Sequence, residues 1–371
     1  MDFDLNPKQR HLIDLAGTLG REKFAPRAAR YDAEASFPFE NYDDMRDAGL
    51  LGLCVPERHG GHGADFATYC LVSAELGRHC GSTALTYNMH TCSMLWSGSM
   101  TDDLDMTEAQ RARHKKTQEA HFNRVIQDGA IYAQPFSEGN ASAAGRAPFG
   151  TLATKVDGGY LLTGKKIFAS LADAASYFGI LCTEDVDDAS RKDTIYLAVP
   201  KDSDGFEVTG PWDPLGMRGT VSRTLIMEDV FVPEENELMP RGIYFQAANR
   251  WPHMFITLAP TYMGLAQAAY DFTVSYLRGE IEGMPPVKRR MYPTKQERMR
   301  AWAAQYTIME NANDLARLAI RTCGGQSMLK TLPLERIYRD SRCGSLMLPL
   351  TAELCMDRLG REALYEAGEE D

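Results

Sequence analysis

The chain has 371 residues, with 40 Lys and Arg residues against 51 Asp and Glu residues and a formal net charge of −11. Its length predicts more than one domain, and its composition, 44% hydrophobic and 25% charged, is that of an ordinary globular protein. These values exclude disorder, collagen-like repeats and coiled coil for the bulk of the chain. The acidic balance also argues against nucleic acid or an anionic membrane surface as the main partner, because both bind basic surfaces.

The cysteine pattern indicates neither disulfides nor a zinc site. The eight cysteines lie far apart along the chain, without a C-x-x-C pair. The first six residues lack the basic and then apolar pattern of a signal peptide, and the most apolar stretch, 255–270, is too short and too polar to span a bilayer. We therefore expect a cytoplasmic protein without a metal site or a membrane span.

The first third of the chain has the pattern of helices. Asn6 before Pro7 is a typical helix start, and the apolar residues of 12–19 follow at helical spacing. Further helices are predicted at 39–48, 64–76 and 104–127. We therefore predict an N-terminal helical domain over residues 1–128.

The middle third changes from helical spacing to the pattern of strands. Strands are predicted at 152–156, 160–168, 195–199 and 223–232. The sequence Asp157-Gly158-Gly159 between the first two strands is typical of a hairpin turn. Several short strands with polar turns favour a compact antiparallel β domain, which we predict over residues 129–240.

Helical periodicity returns in the last third. Helices are predicted at 259–277, 298–322 and 352–365. They predict a C-terminal helical bundle over residues 241–371. The predicted fold class is therefore α+β and mostly α, with a helical domain, an antiparallel β domain and a helical bundle in that order.

Several common catalytic signatures are absent from the sequence. It has no G-x-G-x-x-G, no G-x-x-x-x-G-K-[ST], no G-x-S-x-G and no H-E-x-x-H. A Rossmann dehydrogenase, a P-loop enzyme, an α/β-hydrolase and a zincin are therefore all disfavoured.

Ordered segments over nearly the whole chain instead resemble the acyl-CoA dehydrogenase superfamily of flavoproteins. The segments are LLGLCVPE at 50–57 with GGHG at 60–63, AQP at 133–135, YLLTGKKIFAS at 160–170, LGMRGT at 215–220 with DVFVP at 229–233, and CGG at 323–325 with PLERIYRD at 333–340. Any one of them would be a weak signal. Their order and spacing together carry the resemblance.

The resemblance implies FAD as cofactor, bound between the β domain and the C-terminal helices. It implies that Phe168 packs beside the isoalloxazine ring and that the Ser170 hydroxyl donates a hydrogen bond near flavin N5. The backbone of Ala133 and Gln134 is expected to line the pyrimidine side of the ring. In such a site the protein orients and tunes the flavin, while the flavin carries out the redox chemistry.

The resemblance also implies partners. Arg321, Gly324 and Gly325 stand where a neighbouring subunit normally meets the ADP part of FAD. We therefore expect a homodimer or homotetramer, or a heteromer. The implied substrate is an acyl-CoA or a similar small molecule of lipid metabolism, with an electron acceptor protein as a further partner.

The sequence departs from the family in the base that takes the α-proton of an acyl thioester. The family supplies a glutamate from one of two places, but here Leu348 stands at one and Met254 at the other, and neither side chain accepts a proton. His253 and Glu138 are the candidate substitute bases, because an imidazole and a carboxylate both accept protons. Met254, Leu348 and His90 are the candidate substrate contacts.

Three functions are consistent with these residues. The favoured one is FAD-dependent α,β-desaturation of an acyl thioester with a non-standard or displaced base. A reduced-flavin-dependent monooxygenase of the same fold would need no such base, and a non-catalytic partner subunit could have lost it. The retained 168–170 segment argues against the last, because an inactive subunit has no need of contacts to flavin N5.

Overall fold

A computed structural model describes residues 4–139, 148–283, 296–330, 333–347 and 351–365. The chain divides into two compact units, Met1–Ala268 and Ala269–Asp371. The first unit holds both the N-terminal helices and the sheet. The division into three domains at 128 and 240 stays a prediction.

Helices occupy most of the chain before the sheet. They are α1 (Pro7–Leu19), α2 (Ala25–Glu34), α3 (Phe39–Asp47), α4 (Phe66–His79), α5 (Gly81–Ser97) and α6 (Glu108–Gln127). Asn6 caps α1, as predicted, and Thr107 caps α6, so that the helix predicted at 104–127 begins later. The bounds of α5 were not predicted, because it is buried on nearly all sides and shows little helical periodicity.

A single mixed sheet follows these helices. Its strands are β1 (Tyr132–Ala133), β2 (Leu152–Val156), β3 (Gly159–Ala169), β4 (Tyr177–Glu184), β5 (Thr194–Pro200), β6 (Phe206–Thr209), β7 (Arg223–Pro233) and β8 (Glu237–Met239). The strand order is β6-β7-β3-β2-β4-β5-β8, with β1 paired to β4. All four predicted strands are confirmed.

The sheet differs from the prediction in two pairings. β4 runs parallel to both β1 and β2, whereas an antiparallel domain was expected. The chain crosses over after β3 and re-enters on the other edge of β2, which makes this pairing parallel. β4 itself was not predicted, because its six inner residues are all buried and the strand has no alternation.

The helices that follow the sheet are α7 (Ile243–Arg250), α8 (Ala259–Leu277), α9 (Gln296–Cys323), α10 (Leu334–Gly344) and α11 (Ala352–Leu364). The three predicted helices correspond to α8, α9 and α11. In the second unit α10 and α11 both pack against α9. The order of helices, sheet and helices confirms the predicted α+β, mostly α, fold class.

The described residues contain neither a membrane-spanning helix nor a metal-binding cluster. None of the described helices is both long and apolar enough to cross a membrane. Within the same residues, no group of three or more His, Cys, Asp or Glu side chains could hold a metal ion.

Backbones of α4 and α8 touch where both helices carry glycine. A Cβ added to Gly77 would lie 2.6 Å from the carbonyl oxygen of Thr261, and one added to Gly264 would lie 2.1 Å from that of Ala74. Both contacts are with backbone atoms, which cannot turn aside as the end of a side chain can. The crossing therefore requires glycine at both positions.

We expect Gly264→Ala to lower the thermal unfolding temperature, since the added methyl forces the two helices apart at a cost of about 1–3 kcal/mol. Gly360→Ala is the matched control, because it also lies within a helix and no described atom lies within 4 Å of its added Cβ. The control should retain or raise the unfolding temperature, since alanine favours helix over glycine by about 1 kcal/mol. Equal unfolding temperatures for the two variants, by circular dichroism, would contradict the crossing.

Candidate functional site

The end of β3 with the residues that follow it, and the turn before β7, adopt unusual backbone conformations. Phe168 and Leu171 have φ of 55° and 70°, and Met217 and Val221 have φ of 56° and 45°. These four are among seven described non-glycine residues with positive φ. The Leu171 N–H donates to the carbonyl oxygen of Thr220 at 3.0 Å, which joins the two segments. Such strained residues gather at functional sites, so this junction is the first candidate.

An aromatic surface lies at this junction. The Phe168 side chain is 65% exposed, although phenylalanine is usually buried. Its ring centroid lies 6.5 Å from that of Trp212, in an edge-to-face arrangement. The Trp212 indole N–H donates to the carbonyl oxygen of Arg218 at 2.9 Å, so the partner ring is held in place. An exposed ring in a strained segment suits stacking on a flat aromatic ligand.

A chain of three buried hydroxyls runs beneath this surface. Ser170 Oγ lies 2.8 Å from Ser222 Oγ, which lies 2.7 Å from Thr220 Oγ1. Thr220 Oγ1 donates to the carbonyl oxygen of Met217 at 2.9 Å. Sequence analysis singled out Ser170 but neither Ser222 nor the role of Thr220. The only available signal was the pattern Thr-x-Ser just before a strand, which is too common to be specific.

Gln134 contributes an unpaired amide to the same region. It follows β1 and is 7% exposed, and its amide lies beside the buried Tyr196 hydroxyl, although Nε2 makes no hydrogen bond of normal geometry among the described residues. Its loop runs beside the end of β3, because the Ile167 N–H donates to the carbonyl oxygen of Ser137 at 2.8 Å. An unpaired buried donor is costly, so this amide suits a ligand with an acceptor edge. The neighbouring Ala133 is fully buried within β1.

Glu138 is poorly suited to the predicted role of base. Its Oε1 accepts from Lys166 Nζ at 2.7 Å and from the Thr151 hydroxyl at 2.7 Å, and its Oε2 accepts from the Gly150 N–H at 2.7 Å. Burial alone would raise the pKa of Glu138, but the Lys166 charge and these hydrogen bonds lower the pKa to about 2. A carboxylate so strongly stabilised is a weak proton acceptor. Its role is to tie the Gln134 loop to β3.

Two predicted substrate contacts lie in the core instead. His90 is fully buried, with Nδ1 accepting from the Tyr132 N–H at 3.1 Å and Nε2 lying 2.9 Å from the carbonyl oxygen of Leu51. Burial lowers the pKa of His90 to about 4, so the ring is neutral and joins α5 to β1. Met254 is also fully buried and belongs to the apolar core. Neither side chain presents a surface to a substrate in this structure.

His253 lies in the short 3₁₀ turn Pro252–Ile256 and is half-buried. Its ring centroid lies 4.6 Å from that of Phe66 and 5.9 Å from that of Trp251. Its ring nitrogens form no hydrogen bond with another described residue. The turn is held by α4 and α5, since Tyr69 Oη and Asn88 Nδ2 donate to the carbonyl oxygen of Thr257 at 2.7 and 3.0 Å. Of the two predicted bases, His253 therefore keeps an imidazole that is available for proton transfer.

The residues expected to meet the ADP part of FAD lie in the second unit. Arg321 is exposed at the end of α9 and lines a groove of about 370 Å³. Gly324 has φ of +69°, and no described atom lies within 4 Å of a Cβ added to Gly324 or Gly325. Packing within this unit thus does not require glycine at 325. Leu348 lies outside the described residues.

The residues at the junction fit an isoalloxazine ring. Such a ring offers a flat aromatic face and an edge of polar atoms. The exposed Phe168 ring matches the face, while the unpaired Gln134 amide and the Ser170 hydroxyl match the edge. A mostly apolar surface with a few placed polar groups is typical of cofactor sites.

Comparison with known proteins assigns the family. Models of the acyl-CoA dehydrogenase N-terminal and middle domains match residues 6–113 and 135–230. The chain is 28% identical to the acyl-CoA dehydrogenase homologue YdbM of Bacillus subtilis (strain 168). The match covers 97% of this chain and 98% of that protein. It is 25% identical to the mitochondrial isovaleryl-CoA dehydrogenase of Solanum tuberosum, over 96% of this chain and 91% of that protein.

A solved structure agrees on the fold. The butyryl-CoA dehydrogenase of Megasphaera elsdenii superposes with a TM-score of 0.63 at 23% identity, over 97% of this chain and 99% of that one. The predicted resemblance is therefore confirmed over nearly the whole length. FAD is the usual cofactor of these enzymes. The chain belongs to the acyl-CoA dehydrogenase family of FAD-dependent oxidoreductases.

Proposed function

We propose that this chain catalyses the α,β-desaturation of an acyl thioester, with a base other than the family's glutamate. The flavin-facing junction carries the proposal, because an exposed Phe168 ring, a buried Ser170 hydroxyl and an unpaired Gln134 amide lie on adjoining segments. The names of the isovaleryl-CoA and butyryl-CoA relatives support an acyl-CoA as the class of substrate.

Each residue has a distinct task in this proposal. The Phe168 ring would support one face of the isoalloxazine, and the Gln134 Nε2 would donate to its polar edge. The substrate loses a proton from Cα and a hydride from Cβ, and bound FAD supplies the two-electron acceptor. The His253 imidazole takes the proton, and a double bond forms between the two carbons.

We choose His253 as the base because the side chains at the other positions considered are unsuitable. Met254 is buried and apolar, and the Glu138 carboxylate is already bound by Lys166, Thr151 and Gly150. Imidazole is the side chain whose ordinary titration range lies nearest neutral pH. The half-buried position against Phe66 also shields it from bulk water.

Anaerobic titration of the purified flavoprotein with a panel of acyl-CoA thioesters tests this function. We expect at least one thioester to bleach the visible absorbance of the bound, oxidised FAD and to yield the enoyl thioester. A bound FAD that dithionite reduces but no thioester reduces would contradict desaturation. A purified protein that takes up no flavin in either redox state would contradict the flavin site itself.

A second function, oxygenation by reduced flavin, is favoured by one observation. The described residues offer no available carboxylate at 254 or 138, and a reaction of reduced flavin with oxygen needs no base at Cα. In the same titration this function predicts no bleaching by thioesters. It predicts oxygen uptake when a separate reductase or dithionite supplies reduced flavin together with an oxidisable substrate.

The proposed assembly is a homodimer or homotetramer that passes electrons to an acceptor protein. Gly325 supports it, because a side chain there would meet no described atom of this chain within 4 Å and glycine is not needed for packing within the second unit. Arg321 beside it is exposed and able to meet a diphosphate of FAD held by another copy. A heteromeric assembly and a cytoplasmic location stay predictions.

A further inference from the structure

The buried hydroxyls of Ser170, Ser222 and Thr220 form a hydrogen-bonded chain, and each link has a donor and an acceptor. We propose that they are oriented so that Ser170 accepts a hydrogen bond at flavin N5 instead of donating one, which favours reduced over oxidised FAD. The inference rests on the proposed FAD site. It makes Ser222 and Thr220 positioning residues, because they act on the cofactor through Ser170.

The direction is set at the end of the chain by a group that can only accept. The carbonyl oxygen of Met217 accepts from the Thr220 N–H at 3.1 Å and from the Thr220 hydroxyl at 2.9 Å. A carbonyl has two lone pairs and satisfies both donors. If the Thr220 proton pointed elsewhere, two oxygens would face each other at 2.9 Å with no proton between them. The Thr220 hydroxyl proton therefore points to the carbonyl oxygen of Met217.

The two serines then follow in turn. Each hydroxyl has one proton to donate. Because the Thr220 proton is already engaged, the contact of 2.7 Å between Thr220 and Ser222 requires Ser222 to donate. The contact of 2.8 Å between Ser222 and Ser170 then requires Ser170 to donate inward. Ser170 is left with lone pairs alone on its outer side.

Burial prevents water from reversing this order. Ser170, Ser222 and Thr220 are 8%, 7% and 1% exposed. The backbone around them is held as well, by the positive φ of Met217 and Val221 and by the Ser170 N–H, which donates to the carbonyl oxygen of Phe168 at 2.9 Å. Reversal would turn all three hydroxyls and leave the Met217 contact without its proton.

The direction matters because flavin N5 changes its hydrogen-bonding character on reduction. Oxidised N5 carries a lone pair and accepts, whereas reduced N5 carries a proton and donates. Lone pairs on Ser170 complement the reduced form and oppose the oxidised form. In this proposal Ser170 accepts at N5, whereas the family resemblance implies that it donates. It also agrees with a reaction in which the bound flavin must gain electrons from the substrate.

Redox titration of the holoenzyme tests the direction. In Ser222→Ala the Ser170 proton loses its acceptor and is free to turn outward to oxidised N5. We expect the ratio of the dissociation constants of oxidised and reduced FAD to fall about tenfold, and hence a midpoint potential about 30 mV more negative for this two-electron couple. Ser222→Thr keeps the hydroxyl and should retain the wild-type potential. Ser203→Ala, which removes a half-buried hydroxyl that donates to the carbonyl oxygen of Pro200 in the same unit, should also leave it unchanged.

Thr220→Val is the second variant. It removes the link to Met217, so that Ser222 is free to donate toward Ser170, and the potential should again become more negative. It serves also if Ser222→Ala fails to fold. A potential that stays unchanged or becomes more positive in a folded, FAD-loaded variant would overturn the inference and leave the proposed function intact. A wild-type protein that binds no FAD would instead overturn the proposed function.

Discussion

Replacing His253 with glutamine is expected to lower the rate of acyl-thioester oxidation about 10²- to 10⁴-fold, the usual contribution of a positioned base. Glutamine keeps a polar side chain of similar length but does not accept a proton near neutral pH. The ring contacts with Phe66 and Trp251 would be lost, yet the turn Pro252–Ile256 stays anchored through the Thr257 carbonyl. The effect should therefore fall on proton transfer more than on folding.

Single-turnover reduction of bound FAD by an acyl-CoA measures this step. FAD content and reduction by dithionite should match the wild type, because neither needs the base. His11→Gln is the matched control, since His11 is exposed on α1, and its rate should not change. A rate for His253→Gln equal to that of His11→Gln would exclude His253 as the base.

The second large effect is expected from Lys166→Met. Lys166 and Glu138 form a buried ion pair at 2.7 Å, with side chains 0% and 4% exposed. Loss of one partner leaves the other charge buried and uncompensated, which costs about 3–5 kcal/mol. Thermal unfolding should show a clear decrease in stability. Lys165→Met, at the exposed neighbouring position, should change stability by less than about 0.5 kcal/mol.

The same variant should reverse the sign of a pH dependence. In the wild type the pKa of Glu138 falls from 4.5 to about 2 on folding, so its contribution to stability is present above pH 4.5 and is lost as the pH falls through about 2. Without Lys166, burial raises the pKa of Glu138, so lowering the pH from neutral should instead stabilise the variant. Unfolding temperatures between pH 7 and pH 2 measure both trends. Parallel trends in the two proteins would contradict the ion pair.

The double variant Lys166→Met, Glu138→Gln separates the charge from the packing. A neutral amide at 138 leaves no buried charge, so much of the lost stability should return. It should also abolish the reversed pH trend. The Gln134 loop would still be weakened, because it loses its ionic link to β3. FAD affinity measured on the double variant therefore reports how far that link contributes to FAD binding.

Sequence patterns predicted the elements whose two faces differ. The hairpin of β2 and β3 alternates between buried and exposed side chains, and the capped α1 has one apolar face, so both could be identified from local order. β4 and α5 could not, because burial on every side removes the periodicity on which such a prediction depends. The same limit applied to single residues. His90 and Met254 have side chains suited to a site, and only their packing assigns them to the core.

The sequence by itself determined the family and the order of helices, sheet and helices, because ordered motifs and periodicity are properties of the linear chain. Only the tertiary structure decided what each polar group does. Glu138 became a buried ion-pair partner once Lys166 lay 2.7 Å away, and Ser170 joined a chain of buried hydroxyls once Ser222 lay 2.8 Å away. Protonation and hydrogen-bond direction depend on distances between residues far apart in sequence and on the exclusion of water. Local sequence patterns specify neither those distances nor that burial.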